Sequence, residues 1–198
     1  MGRSRVHVRD AVVGDAEALA RVWSDLLLIA GVPGRTSAPP TPPAVARRLE
    51  AIEGSPTRRM LVAEDGDVLA GAVYLSREPL TPLHDDTAVR ASYLHVLAEH
   101  RRRGIGRALL DAAAGWAVEV QAEHLVVDVS PHIRETNRFL ARLGLRTLVS
   151  QRSVPVAVIR RRMVGGQLVG SELLGEPARR LATSGGRSRR PWHAISGR

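Results

Sequence analysis

One segment constrains this chain more than any other: Leu94-His95-Val96-Leu97-Ala98-Glu99-His100-Arg101-Arg102-Arg103-Gly104-Ile105-Gly106-Arg107-Ala108-Leu109-Leu110. The run Thr87 to Leu97 reads as a strand, and Ile105, Ala108, Leu109, Ala112, Trp116 and Val120 then recur at helical spacing. A strand that enters a helix through a basic glycine turn aims unpaired N–H groups and the positive helix end at one spot. Gly104 and Gly106 remove side chains where a phosphate must approach the backbone, and Arg101, Arg102, Arg103 and Arg107 add charge-assisted donors. The turn is expected to hold a phosphorylated cofactor. The short apolar run Leu125–Val129 follows as a strand buried on both faces, which completes a right-handed βαβ unit.

The flanking pattern fits one α/β domain. Val6 to Asp10 alternates like a strand, and Asp15 offers an N-cap for a helix bearing Leu19, Val22, Trp23, Leu26 and Ala30. That helix is expected to stop near Gly31-Val32-Pro33, before a loop from Pro33 to Pro43. A shorter helix then points Val45, Leu49 and Ile52 inward. Met60–Glu64 and Val68–Leu75 form a hairpin through Asp65-Gly66, and a polar loop from Arg77 to Asp86 precedes the strand at Thr87. Pro131–Leu143 reads as a helix closed by Gly144, and Leu145–Val149 and Val154–Met163 as two final strands. The boundary is therefore placed near 164. Residues 165–198 are expected to form a basic tail, helical at Ser171–Ala182 and mobile at its end.

Composition removes several chemistries. The 198 residues contain 29 arginines and no lysine, so there is no Walker A loop, Schiff base or pyridoxal anchor. There is no cysteine either, hence no thiol nucleophile, disulfide or thiolate metal site. A dinucleotide fingerprint needs a third glycine where Leu109 stands. No Gly-x-Ser-x-Gly elbow exists, and the seven histidines show no metal-ligand spacing, so no metal is expected. The first ten residues lack a signal-peptide apolar stretch, and Leu26–Val32 is far short of the roughly 20 residues of a membrane span. A cytoplasmic protein without membrane contact is expected.

Arg101-Arg102-Arg103-Gly104-Ile105-Gly106, preceded by Leu94 and Val96 on a strand, resembles the Arg/Gln-x-x-Gly-x-Gly/Ala motif of the GNAT family of N-acetyltransferases. The element order from Val6 to Met163 is similar to that fold. Arg138-Phe139-Leu140-Ala141-Arg142-Leu143-Gly144-Leu145 resembles the family's later Phe-Tyr-x-x-x-Gly-Phe element. The resemblance implies a mixed central sheet with two splayed parallel strands, here Leu94–Leu97 and Leu125–Val129, flanked by helices. It implies that the turn, from Arg101 through Arg107, cradles the pyrophosphate of acetyl-CoA. The backbone of Leu94, His95, Val96 and Leu97 would then hold the pantetheine arm and stabilise the oxyanion. Such a donor is worth ~3–4 kcal/mol in comparable enzymes. The absence of cysteine excludes an acetyl-cysteine intermediate, leaving direct attack by an amine in a ternary complex.

The sequence departs from the family at the proton-handling positions. Leu140 stands where relatives commonly carry a tyrosine, and Ile133 aligns with their helix-start asparagine, four residues before Asn137. Arg90 and Ser92 align with positions that carry a carboxylate or histidine in some relatives, and arginine is no base at neutral pH. Tyr93 is the expected proton donor and Asp86, beside Asp85, the expected partner for the amine. Glu64, Asp128 and His95 are further candidates. The acceptor is expected to be a small molecule, a peptide N-terminus or a protein lysine. Many members of the family form homodimers. A coenzyme A-binding sensor that has lost catalysis is the rival reading, and a nucleic-acid-binding protein, suggested by the net charge of +9, a third.

Overall fold

A computed structural model describes residues 6–30, 39–83, 85–130, 133–148 and 156–164. The chain divides into two units, Met1–Arg146 and Thr147–Arg198. The first holds β1 (Val6–Asp10), α1 (Ala16–Ala30), α2 (Pro42–Glu50), β2 (Arg58–Asp65), β3 (Val68–Pro79), β4 (Thr87–Val96), α3 (Ile105–Glu119), β5 (His124–Val127) and α4 (Arg134–Arg142). The strands form one mixed sheet in the order β1-β2-β3-β4-β5. The first three pairings are antiparallel and β4–β5 is parallel.

Strand alternation sorts the core into two layers. Leu61 and Ala63 of β2, Val73 and Leu75 of β3, and Val89 and Ala91 of β4 face α3, against Ile105, Leu109, Ala113 and Trp116. Val62 of β2 and Ala72 of β3 face the other way, against Leu19 and Val22 of α1 and Leu49 of α2. Gly71 lets α3 settle closely on the sheet. A Cβ there would lie 2.7 Å from the His95 carbonyl oxygen and 3.2 Å from Ile105 Cγ2.

The hairpin forms with a two-residue loop, Gly66-Asp67, and Asp65 itself pairs with Val68 as the last residue of β2. Gly66 alone of the two has a positive φ, +69°, as in a II′ turn. β3 runs on to Pro79 because Ser76–Pro79 find partners at Thr87–Arg90. Asp15 does not cap α1 directly. It ends a short 3₁₀ turn, where its carboxylate accepts the Val12 N–H at 2.8 Å and its own N–H donates to the Val12 carbonyl. Arg9 binds that carboxylate and Glu64, tying β1, the turn and β2 together.

Three expectations require correction. β5 is only partly buried, because it is an edge strand among the described residues. Leu145–Leu148 form no strand: Gly144 (φ +88°) closes α4 in a Schellman motif, with Leu145 N–H on Leu140 O and Gly144 N–H on Ala141 O. Val156–Val164 is a helix, α5, where a strand was expected. Its run of Arg160, Arg161, Arg162 and Met163 consists of good helix formers, and a strand would have put consecutive charges on both faces. Val149, Val154 and the tail from 165 lie outside the described residues. Among the described residues no helix is long and apolar enough to cross a membrane.

Candidate functional site

The sheet opens halfway along β4. β5 pairs only with Ala88–Ala91, and the last link is the Asp128 N–H to the Ala91 carbonyl at 2.9 Å. Beyond it β4 continues through Val96 without β5. At the opening β4 carries one extra residue against β3: Ala72 faces His95, whereas Tyr74 faces Ser92. Tyr93 takes up the slack with φ +58°, and the bulge reverses the alternation. Val89 and Ala91 before it, and Leu94 and Val96 after it, face α3. Arg90 and Ser92, and later His95 and Leu97, therefore face the α1/α2 side.

This geometry distinguishes the four strand residues expected to hold the pantetheine. The Leu97 N–H is bonded to the Ala70 carbonyl of β3 at 2.9 Å. Neighbouring strand residues point their backbone groups to opposite edges. The backbone of Val96 is thus directed to the edge that β5 has left. Its carbonyl accepts Arg101 Nε there, at 3.1 Å.

After β4 the chain makes a 3₁₀ turn at Ala98–His100, passes Arg102 (φ +63°) and Gly104 (φ +88°), and enters α3. The Ala108 N–H makes the bond to the Gly104 carbonyl, so the amides of Ile105, Gly106 and Arg107 have no partner within the helix. A Cβ at Gly104 would meet nothing within 4 Å, so its left-handed φ is what demands glycine. Open space, orphan amides and arginines together fit a polyphosphate.

The four arginines are not equivalent. Arg103 binds Asp65 at 2.9 Å, and His100 Nδ1–H donates to the same carboxylate oxygen at 2.8 Å. The Asp65 side chain is only 2% exposed, so the end of the hairpin locks the turn in place. The hydrogen bond from His100, with Arg103 beside it, holds this carboxyl below the usual carboxylate range. Arg102 reaches Glu135 of α4 at 3.2 Å across an exposed surface. Arg107 is exposed and makes no ion pair among the described residues.

The expected proton-handling residues are scattered. Tyr93 stands at the opening, half exposed, its ring centroid 4.7 Å from that of Trp23 on α1. His95 is buried, and its Nε2–H donates to Asp25 of α1 at 2.7 Å. Burial pushes the imidazole pKa down. Asp86 lies elsewhere. It precedes β4, exposed, with its carboxylate within 4.8 Å of Glu123 and His124 ligand atoms. Six strand residues, Thr87–Ser92, separate it from Tyr93, a span of roughly 20 Å. The loop before β4 is adjacent to the start of the strand, not to the opening, and the structure does not bring Asp86 to the splay. Glu64 is held by Arg9. Asp128 does stand at the opening, bonded to Arg90 at 2.8 Å and Ser92 at 2.6 Å. Arg90 also holds Glu78 of β3. The roles of Asp25, Asp65 and Glu78 depend on partners 12 to 70 residues away, which no local spacing announces.

The sequence profile described as the acetyltransferase (GNAT) family matches residues 26–145. No curated protein matches the chain in sequence. Among solved structures, a transcriptional regulator from Bacillus halodurans C-125 superposes with a TM-score of 0.64 at 19% identity, covering 76% of this chain and 99% of its own. The aminoglycoside N-acetyltransferase AAC(6')-Iy in complex with CoA gives 0.62 at 18% identity, covering 78% and 96%. Glucosamine-6-phosphate N-acetyltransferase from Arabidopsis thaliana gives 0.62 at 15%, covering 77% and 99%. These likenesses establish the fold, a mixed sheet opened between two parallel strands and flanked by helices. With the family profile spanning more than half of its residues, the chain belongs to the GNAT acetyltransferase family.

Proposed function

We propose that the protein is an N-acetyltransferase that moves an acetyl group from acetyl-CoA to an amine by direct attack in a ternary complex. The observation that carries the reading is the conjunction of two features on one strand. The opening between β4 and β5 ends at a turn with orphan amides and a lysine-free set of arginines. The amides of Ile105, Gly106 and Arg107, with Arg101, Arg102 and Arg107, serve the pyrophosphate. Arg103 serves the turn itself through Asp65. The edge of Leu94 and Val96 takes the pantetheine arm as an added strand, and the Val96 amide meets the charge that develops on the thioester oxygen. Bound acetyl-CoA supplies the activated acyl group. Tyr93, at the bulge, is the phenol assigned to protonate the departing sulfur.

The acceptor class is drawn from a small molecule, a peptide N-terminus or a protein lysine. A suitable panel is kanamycin, glucosamine 6-phosphate and a lysine-containing peptide with a free N-terminus. Acetyl-CoA titrated by calorimetry is expected to bind in the micromolar range. Gly106→Glu places a carboxylate in the first turn of α3, which a helix tolerates but a phosphate does not, and should weaken binding roughly 100-fold. Equal binding by the variant removes the cradle from the reading. Thiol release that depends on one of the amines then separates an enzyme from a coenzyme A-binding sensor, which binds without acceptor-dependent turnover.

A further inference from the structure

Direct transfer needs a proton acceptor beside the amine, and neither β4 residue on the acceptor side of the opening is one. Arg90 stays protonated and Ser92 is a hydroxyl. Both converge instead on a carboxylate from the next strand. Asp128 Oδ1 accepts from the Arg90 guanidinium at 2.8 Å and Oδ2 from the Ser92 hydroxyl at 2.6 Å. The Asp128 backbone makes the last bond before β4 and β5 part, so its carboxylate stands at the vertex of the opening. Glu78, the second carboxylate on Arg90, is paired opposite Ala88, near the start of β4 and further from the vertex. The charged and polar groups facing Asp128 are thus Arg90 and Ser92 from β4, with Glu78 of β3 behind Arg90. The Asp128 side chain is nonetheless 41% exposed, and each of its oxygens keeps a lone pair after these bonds.

The geometry points to Asp128 as the residue that receives the proton of the acceptor amine, with Arg90 and Ser92 as its positioning residues. The inference rests on the transfer reading above. As the amine nitrogen bonds to the thioester carbon, its proton passes to Asp128, and the carbon–sulfur bond breaks with the electron pair leaving on sulfur. The sulfur takes a proton from Tyr93. Asp128 then loses its proton to solvent and Tyr93 regains one from it, so no further reactant is consumed.

The test follows thiol release from acetyl-CoA with the three amines. Asp128→Asn is expected to keep the acetyl-CoA Kd within about twofold while kcat falls roughly 100-fold, the usual scale for a lost general base. Asp128→Glu, which keeps a carboxylate at the vertex, should restore part of the lost kcat. Ser92→Ala removes a hydrogen bond that positions the carboxylate and should lower kcat several-fold without weakening acetyl-CoA binding, and Ser92→Thr, which keeps the hydroxyl, should restore it. Wild-type kcat in Asp128→Asn overturns the assignment and leaves the transfer reading standing. Tight acetyl-CoA binding with no turnover of any amine overturns both. Absence of acetyl-CoA binding overturns the cradle first, and the assignment falls with it.

Discussion

His95 and Asp65 are buried ionisable side chains whose protonation in the folded and unfolded chain differs in a direction that can be worked out. Burial holds His95 below the ordinary imidazole range, with Arg101 adding a smaller push the same way and Asp25 opposing both. In the unfolded chain this imidazole takes up a proton near pH ~6.5. Protonation there favours the unfolded chain, so the His95 contribution is complete above about pH 7 and declines as the pH falls below about 6.5. Asp15 and Asp65 are shifted down by hydrogen bonds, from Arg9 and from His100 respectively. Their contributions are present above about pH 4 and lost only below it. Acid should therefore lower the Tm in two separate stages. His95→Gln is expected to flatten the first stage, between pH 7.5 and 5.5, and to leave the second. A wild-type Tm that does not change across that first interval contradicts a neutral, buried His95.

At the level of elements, the position of α3 decides where its N-terminal amides point. Gly71 sets how closely α3 and β4 approach β3, since a methyl there would meet the His95 carbonyl at 2.7 Å and Ile105 at 3.2 Å. Backbone must shift to admit it. Gly71→Ala is expected to cost ~1–3 kcal/mol as an overpacked contact. Leu109→Ala, at a residue 0% exposed, should cost ~2–5 kcal/mol by leaving a cavity. The two differ in a second readout. Gly71→Ala displaces the helix end and should raise the acetyl-CoA Kd several-fold, whereas a cavity at Leu109 should leave it near wild type. Calorimetry together with urea unfolding checks both. The same elements show what could be read in advance. β1, the hairpin, β4 and α3 were legible because alternation, an Asp-Gly pair and a glycine turn are local signals. The bulge at Tyr93 was not, because an extra residue is visible only against β3. Neither was the helix at Val156–Val164, whose valines alternate like a strand until three arginines follow. In the sequence Asp128 stands out only as one polar residue within Leu125–Val129, and its partners Arg90 and Ser92 come from another strand.

Across the whole molecule, the net charge of +9 is distributed rather than uniform. Beyond Val164, six arginines and two glutamates account for +4. Of the +5 that remains, Arg101, Arg102, Arg103 and Arg107 carry +4, so the rest of residues 1–164 is close to neutral. A chain organised to bind nucleic acid with its folded part would spread arginines along a face. Here they converge on one helix end, which suits a compact polyanion. Charges exposed at that end are screened once the Debye length shrinks from ~14 Å to ~4 Å, between about 50 mM and 500 mM salt. The acetyl-CoA Kd should accordingly rise roughly fivefold over that range. Arg107→Ala should weaken binding at low salt and flatten the dependence, because this exposed guanidinium has no partner among the described residues to occupy it. Arg103→Ala should act differently, lowering the Tm by releasing the turn from Asp65 and His100. Equal salt slopes in wild type and Arg107→Ala, measured by titration at four ionic strengths, would place the anion site away from the start of α3.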